Sequence, residues 1–74
     1  MSPTKSKEVN IKWTLELCRS KAGLSQKEMA KSIGVSEQTY MKYENYKSGM
    51  KVEKAFKFAE IVGIPVDSII FFKQ

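Results

Sequence analysis

The chain has 74 residues, enough for one domain, and a domain of this size buries only about 60% of the surface that its unfolded form exposes. Thirteen lysines and arginines against eight aspartates and glutamates give a formal net charge of +5, which makes a polyanion such as nucleic acid a candidate partner. With no histidine and one cysteine, Cys18, the sequence excludes a disulfide framework and a zinc cluster of usual spacing.

The amino-terminal residues bear on the cellular location of the protein and predict a flexible arm. The opening MSPTKSKEVN lacks the apolar run of a signal peptide, and no later apolar segment is long enough to span a bilayer. We therefore expect a cytoplasmic protein without membrane contact, cofactor or metal. Residues 1–9 are polar and charged and are predicted to form a flexible arm, with the folded domain at 10–74.

The first predicted helix begins after Asn10, whose side chain can cap it, and ends at Gly23. Residues at spacings of three and four form its inward stripe: Ile11, Leu15, Cys18 and Ala22. Trp13 and Leu17 are four apart and are predicted to lie together elsewhere on this helix, either covering the arm or forming a contact surface.

Two short helices are predicted on either side of Gly34. Ser25-Gln26-Lys27-Glu28 has the form of a capping box, so the second helix should begin at about Gln26. Its apolar positions are Met29, Ala30 and Ile33, and Gly34 ends it. Ser36 is then predicted to cap a third helix, with Tyr40 and Tyr43 facing inward.

The last part of the chain predicts two more helices. The fourth should run from about Met50 to Val62 and end before Gly63 and Pro65. Its predicted inward residues are Val52, Ala55, Phe56, Ala59 and Val62. A short fifth helix is expected to turn Val66, Ile69 and Ile70 inward. Because no stretch alternates with period two for long enough to form a strand, the predicted fold class is all-α.

The stretch GLSQKEMAKSIGVSEQTYMKYEN, with its glycine turn and its Ser-capped third helix, resembles the Xre family of helix-turn-helix regulators, which includes phage repressors and Cro proteins. The similarity extends from about residue 11 to residue 70. It implies a compact five-helix domain like that of lambda repressor, and a transcriptional regulator that reads double-stranded operator DNA with helix three in the major groove.

The resemblance also implies roles for individual residues. Those expected at base edges are Ser36, Glu37, Gln38, Met41 and Lys42. Those expected at the sugar-phosphate backbone are Ser25, Gln26, Lys27, Thr39, Asn45, Lys47, Ser48 and Lys51. The chemistry is compatible, since Gln38 can make paired hydrogen bonds to adenine and Lys42 can reach guanine or a phosphate. Glu37 either accepts from cytosine or points away from the DNA.

Four further positions follow from the same resemblance. Arg19 and Glu44 match an arginine and a glutamate that form a structural salt bridge in the family. Tyr46 stands where a glycine is common, and Met50 stands where a proline often begins the next helix. The Tyr46 hydroxyl either donates to a phosphate or packs over the loop.

A homodimer on a palindromic operator is expected, because one recognition helix reads only a few base pairs. The candidate dimer contacts are Ile70, Phe71, Phe72, Trp13 and Leu17. Val66, Ile69 and Ile70 suffice to close the core, which leaves Phe71 and Phe72 without an evident burial site; alternatively, Phe71 folds back onto Trp13 in a monomer.

The competing function is a protein-interaction module of the same fold. The two hypotheses differ in where the lysines lie: DNA binding requires Lys27, Lys42, Lys47 and Lys51 to share a face with the two glutamines. An enzyme is not expected, because the sequence lacks histidine, a phosphate-cradling glycine loop and a nucleophile with a base at recognisable spacing.

Overall fold

A computed structural model describes residues 12–72 of the chain. In that range four α-helices follow one another: α1 Leu15–Ala22, α2 Gln26–Ile33, α3 Glu37–Glu44 and α4 Val52–Val62. A 3-10 turn, Val66–Ser68, stands where a fifth helix was predicted. The all-α class is thus confirmed, whereas the part described holds four α-helices and not five. The predicted arm at 1–9, and Asn10 and Ile11, lie outside the described residues.

Helix α1 begins later than the sequence predicted. Thr14 is its N-cap, and the Thr14 hydroxyl accepts a hydrogen bond from the Leu17 amide at 3.2 Å. Trp13 is extended and forms a parallel β-bridge with Ile69. The prediction of helix at residues 12–14 was therefore wrong, because the backbone of Trp13 pairs with a distant segment. Consequently Trp13 and Leu17 do not lie together on one helix.

Helices α2 and α3 form the predicted helix-turn-helix pair. The capping box is confirmed: the Ser25 hydroxyl accepts from the Glu28 amide at 3.0 Å, and the Glu28 carboxylate accepts from the Ser25 amide at 2.8 Å. Gly34 ends α2 with a φ of +82°, a left-handed conformation that favours glycine. Ser36 caps α3, as its position before the apolar residues predicted.

One apolar core connects the four helices. Its fully buried larger side chains are Leu15, Cys18, Met29, Ile33, Tyr40 and Phe58. The rings of Tyr40 and Phe58 stack with centroids 6.5 Å apart, which joins α3 to α4. Burial raises the pKa of the Cys18 thiol to about 11, in agreement with its interpretation as a small apolar core residue.

The buried face of α4 differs from the predicted one. Val52 and Phe56 were expected inside but are 71% and 59% exposed, whereas Phe58 is fully buried. Ala55, Ala59 and Val62 face inward as predicted, and Phe58 joins them in place of Val52 and Phe56. Phe56 and Phe58 lie on either side of this shared stripe, and packing against α1 and α2 buries Phe58.

The segment after the 3-10 turn completes the core on the side of Trp13. Ile69 is buried, and the Ile70 amide donates to the Trp13 carbonyl at 2.8 Å. The Phe71 ring is half-buried and packs edge-on against Phe58, with centroids 6.1 Å apart. The expectation that Phe71 has no burial site was therefore wrong, while Phe72 remains exposed.

Candidate nucleic-acid interface

Helix α3 has one face in the core and one in solvent. Tyr40 and Tyr43 are buried on one side of the helix. The residues on the opposite side therefore face solvent. Four residues predicted to meet base edges are exposed there: Glu37, Gln38, Met41 and Lys42. This face therefore combines a carboxylate, an amide, a thioether and an ammonium group within two helical turns.

Ser36 is more constrained than its sequence position suggests. Its hydroxyl accepts from the Thr39 amide at 3.1 Å and donates to the Thr39 hydroxyl at 2.9 Å. A serine hydroxyl has one hydrogen and two lone pairs, so the capping arrangement leaves one lone pair available. In this arrangement Ser36 can only accept a hydrogen bond from a base, for example from an amino group.

The end of α3 is fixed by a hydrogen-bond network around Glu44. Arg19 of α1 approaches the carboxylate through Nε, which lies 2.5 Å from Oε2, and through Nη2, which lies 3.3 Å from Oε1. Tyr40 donates to Oε2 at 2.6 Å, and Gln26 donates through Nε2 to Oε1 at 3.0 Å. The side chains of Arg19 and Glu44 are 15% and 5% exposed, so this salt bridge is largely desolvated.

The network determines the charge of its members. Burial by itself raises the pKa of Glu44, but the hydrogen bonds from Arg19, Tyr40 and Gln26 outweigh it and hold the pKa below the usual value. The hydrogen bond with Glu44 raises the pKa of Arg19. Burial, with the neighbouring carboxylate, raises the pKa of Tyr40. Glu44 thus stays ionised and ties α1, α2 and α3 to one group.

Gln26 connects this network to the surface. Its side chain is half-buried at the first position of α2, with one amide hydrogen directed at Glu44. An amide nitrogen carries two hydrogens, so one remains for a group outside the protein. Ser25 and Lys27 flank it and are exposed, close to the free amides of a helix amino terminus, which favour anions.

The loop after α3 carries most of the remaining backbone-contact candidates. Asn45, Lys47, Ser48 and Lys51 are all exposed. The Lys47 amide donates to the Lys42 carbonyl at 2.9 Å, so the loop folds back onto the last turn of α3. Tyr46 has a φ of +59°, a conformation that costs a residue with a side chain about 1–2 kcal/mol relative to the right-handed region.

The Tyr46 side chain is half-buried against the core. Its hydroxyl accepts from the Leu15 amide at 3.1 Å and donates its hydrogen to the Ile70 carbonyl at 2.6 Å. Burial raises the pKa of this phenol. Of the two roles that the sequence left open for this tyrosine, the structure therefore has packing.

The helix-turn-helix family matches residues 15–69, which covers all four helices and the 3-10 turn. The chain belongs to the Xre family of helix-turn-helix transcriptional regulators.

Three proteins of known sequence are similar to this Xre-family chain. It is 32% identical over 64 residues to an uncharacterised HTH-type transcriptional regulator of Methanocaldococcus jannaschii, covering 86% of the chain and 97% of that relative. It is 35% identical to the transcriptional repressor RstR of the cryptic phage CTXphi in Vibrio cholerae, covering 70% of the chain and 47% of that protein. It is 34% identical to an SPbeta prophage-derived uncharacterised HTH-type transcriptional regulator of Bacillus subtilis, covering 76% and 52% respectively.

The chain thus spans nearly all of one relative and about half the length of the other two. No solved structure gives a significant match to it.

The candidate dimer contacts of this Xre-family domain separate into two groups. Trp13, Ile70 and Phe71 are half-buried and contribute to the monomer's core or its edge. Leu17 and Phe72 are exposed. Val52 and Phe56, which the sequence assigned to the core, join them as exposed apolar side chains.

Two hydrogen bonds of this Xre-family site were not predicted from the sequence. The Tyr40–Glu44 hydrogen bond was detectable in principle, because a spacing of four brings two helical side chains together. The bond from Tyr46 to Ile70 joins residues 24 apart and had no local signal in the sequence.

Within residues 12–72, no helix is long and apolar enough to cross a membrane, and no cluster of three acidic or cysteine side chains is arranged to hold a metal.

Proposed function

We propose that this Xre-family chain is a sequence-specific regulator that binds double-stranded DNA with α3 in the major groove. The carrying observation is the combination of an exposed polar face on α3 with a fixed inner face. Glu37, Gln38, Met41 and Lys42 are exposed, while Tyr40 and Glu44 of the same helix are hydrogen-bonded inside the protein. A helix held in this way presents its polar side chains at defined positions, which base reading requires.

The roles within this interface follow from the available hydrogen-bond groups. Gln38 makes paired hydrogen bonds to adenine, and Lys42 reaches guanine or a nearby phosphate. Ser36 accepts from a base amino group because its hydrogen is directed at Thr39. Met41 contacts a thymine methyl group, and Glu37 accepts from cytosine.

Phosphate contacts come from the start of α2, from α3 itself and from the segment that follows α3. Gln26 directs its second amide hydrogen at a phosphate while the first holds Glu44. The other members of the set are Ser25, Lys27, Thr39, Asn45, Lys47, Ser48 and Lys51. Because these contacts are electrostatic or involve the sugar-phosphate backbone, they set affinity and register but carry little sequence information.

Repression, in a phage or mobile-element setting, is the proposed regulatory role. It is supported by the names of two relatives, one a phage repressor and the other a prophage-derived regulator. The working unit is a homodimer on a palindromic operator, because two recognition helices one helical turn apart, about 34 Å, read enough base pairs for a specific site.

A protein-interaction role is the second candidate. It is favoured by four exposed apolar side chains on α1, α4 and the segment after the 3-10 turn: Leu17, Val52, Phe56 and Phe72. Such side chains, if contiguous, mark contact surfaces on small domains.

The decisive experiment is the selection of bound duplexes from a random pool. We expect a palindromic consensus with two half-sites spaced by about one helical turn. A variant that combines Gln38→Ala with Lys42→Ala is the matched control and should select no such consensus. If the parent chain enriched no sequence over the random pool, the DNA-reading function would be wrong and the interaction module would be favoured.

A further inference from the structure

We propose that Tyr46 is a positioning residue that couples the segment 69–72 to the phosphate-contacting loop 46–49, and so sets DNA affinity without touching DNA. This inference rests on the proposed function, because the loop matters only if Lys47 and Ser48 meet the DNA backbone.

The hydroxyl of Tyr46 joins three parts of the fold. It accepts from the amide of Leu15, the first residue of α1, and donates to the carbonyl of Ile70. Ile70 is itself fixed, because its amide donates to the Trp13 carbonyl in the paired segments. Tyr46 therefore attaches the loop to the edge where residues 12–14 and 68–70 meet.

The backbone of Tyr46 points to the same role. Its φ of +59° is a left-handed conformation, which a glycine adopts without strain. A glycine here would make the same turn, so the tyrosine's contribution lies in its side chain. The ring and hydroxyl hold the turn from the side, whereas a glycine would leave it to the backbone alone.

A second contact links the same two segments. Phe72 lies against Gly49, and a Cβ atom added at Gly49 would overlap Cε1 of that ring. A cleft between the loop and the segment is lined by residues 46–49 together with Phe71 and Phe72. The loop thus has the tyrosine hydroxyl at one end and an aromatic ring at the other.

The turn at Tyr46 affects DNA binding through Lys47 and Ser48, the two residues that follow it. The amides of Lys47 and Ser48 both point at the Lys42 carbonyl in the last turn of α3, at 2.9 and 3.4 Å. The turn at Tyr46 therefore decides where these two side chains stand relative to the recognition helix. Loss of the hydroxyl should release the loop and spread Lys47 over positions that meet no phosphate.

The free protein provides the first test. Amide hydrogen exchange should be faster at Lys47 and Ser48 in Tyr46→Phe than in the parent, while exchange at Val35 in the other turn stays unchanged. Tyr43→Phe is the matched control, since residues 12–72 supply no hydrogen bond to the Tyr43 hydroxyl. Unchanged loop exchange in Tyr46→Phe would overturn the inference whatever the chain binds.

A double-mutant cycle with a duplex selected by the parent chain provides the second test. With all proteins verified as folded, Tyr46→Phe should weaken binding about fivefold, and this loss should largely vanish in the Lys47→Ala background. Equal losses in both backgrounds would show that Tyr46 does not act through Lys47 and would overturn the inference alone. A parent chain that binds no duplex would overturn the proposed function, and the DNA part of this inference with it.

Discussion

Tyr40 donates its hydroxyl to Oε2 of Glu44 at 2.6 Å, across one turn of α3. The same carboxylate oxygen receives Nε of Arg19, so the charge at the end of the recognition helix has partners on its own helix and on α1. Since Gln26 of α2 holds the other carboxylate oxygen, a rotation of α3 about its axis would break bonds to two neighbouring helices. The outward face of α3 is thereby oriented by a buried charge.

Arg19→Ala should destabilise the fold by about 3 kcal/mol, because it leaves the 5%-exposed Glu44 side chain without its cationic partner. The free energy of unfolding from urea titration measures the loss. Lys21→Ala, on the exposed last turn of the same helix, is the control and should change stability by less than about 0.5 kcal/mol. An unfolding midpoint for Arg19→Ala equal to that of the parent would contradict the structural role of the pair.

Stability should fall in acid because of Glu44. Its pKa in the folded protein is lower than the ordinary 4.5, so its contribution to folding is complete above the unfolded pKa and is lost as pH falls through the folded value. Urea titrations from pH 6 down to about pH 2.5 should therefore show a decline that begins near pH 5.

The variant Glu44→Gln isolates this contribution. It should be less stable than the parent at pH 7 and should show a shallower decline in acid, because no carboxylate remains at this position to be protonated. Glu60→Gln, at an exposed position of α4, should keep the parent's acid profile. A Glu44→Gln profile as steep as that of the parent would assign the acid sensitivity to other carboxylates.

Gln38→Ala should reduce affinity for the selected duplex by roughly 1–3 kcal/mol and relax the base preference at one position of each half-site. Fluorescence anisotropy with single-base variants of the duplex measures both effects. If specific and random duplexes lost affinity equally, Gln38 would position the helix and would not read a base.

Lys47→Ala is the contrasting change at the backbone contacts. It should weaken all duplexes alike and lower the slope of log affinity against log salt by about 0.9, the share of one phosphate contact. A parent chain whose affinity hardly changed with salt would contradict the whole set of phosphate contacts.

The homodimer should form through exposed apolar side chains. Phe71 is a poor choice for a test, because its ring packs against Phe58 and its loss would disturb the core. Leu17→Ala and Phe72→Ala are better, since both side chains are exposed. Because Phe72→Ala also removes the ring that lies against Gly49, the affinity of a single protomer for a half-site is measured beside the cooperativity. We expect at least one of them to reduce cooperative binding of two protomers to the palindromic duplex in sedimentation velocity.

Phe56→Ala is the comparison variant for this experiment, because Phe56 is exposed on α4 and was not among the predicted contacts. If only Phe56→Ala reduced cooperativity, the interface would lie on α4. If every variant left two protomers bound with unchanged cooperativity, both predicted surfaces would be wrong.

Features whose bonding partners lie within a few residues could be predicted from the sequence alone. The capping box of Ser25 and Glu28, the left-handed Gly34 and the cap at Ser36 each depend on bonds across three or four positions. Their signals are therefore complete in the local sequence, and they place α2, α3 and the outward face that carries Gln38. The same local logic correctly predicted that Tyr40 and Tyr43 face inward.

Features that depend on partners far along the chain could not be predicted from the sequence, because they arise when the helices pack together. Phe56 and Phe58 of α4 lie on either side of one apolar stripe, and the helix buries Phe58 and exposes Phe56 because it packs against α1 and α2 on the side of Phe58. The spacing of apolar residues predicted that Trp13 is helical, but it is extended because it pairs with Ile69, which lies 56 residues later in the chain. Tyr46 holds a left-handed turn because its hydroxyl meets Leu15 and Ile70, and a bond between residues so far apart leaves no periodic trace in the sequence.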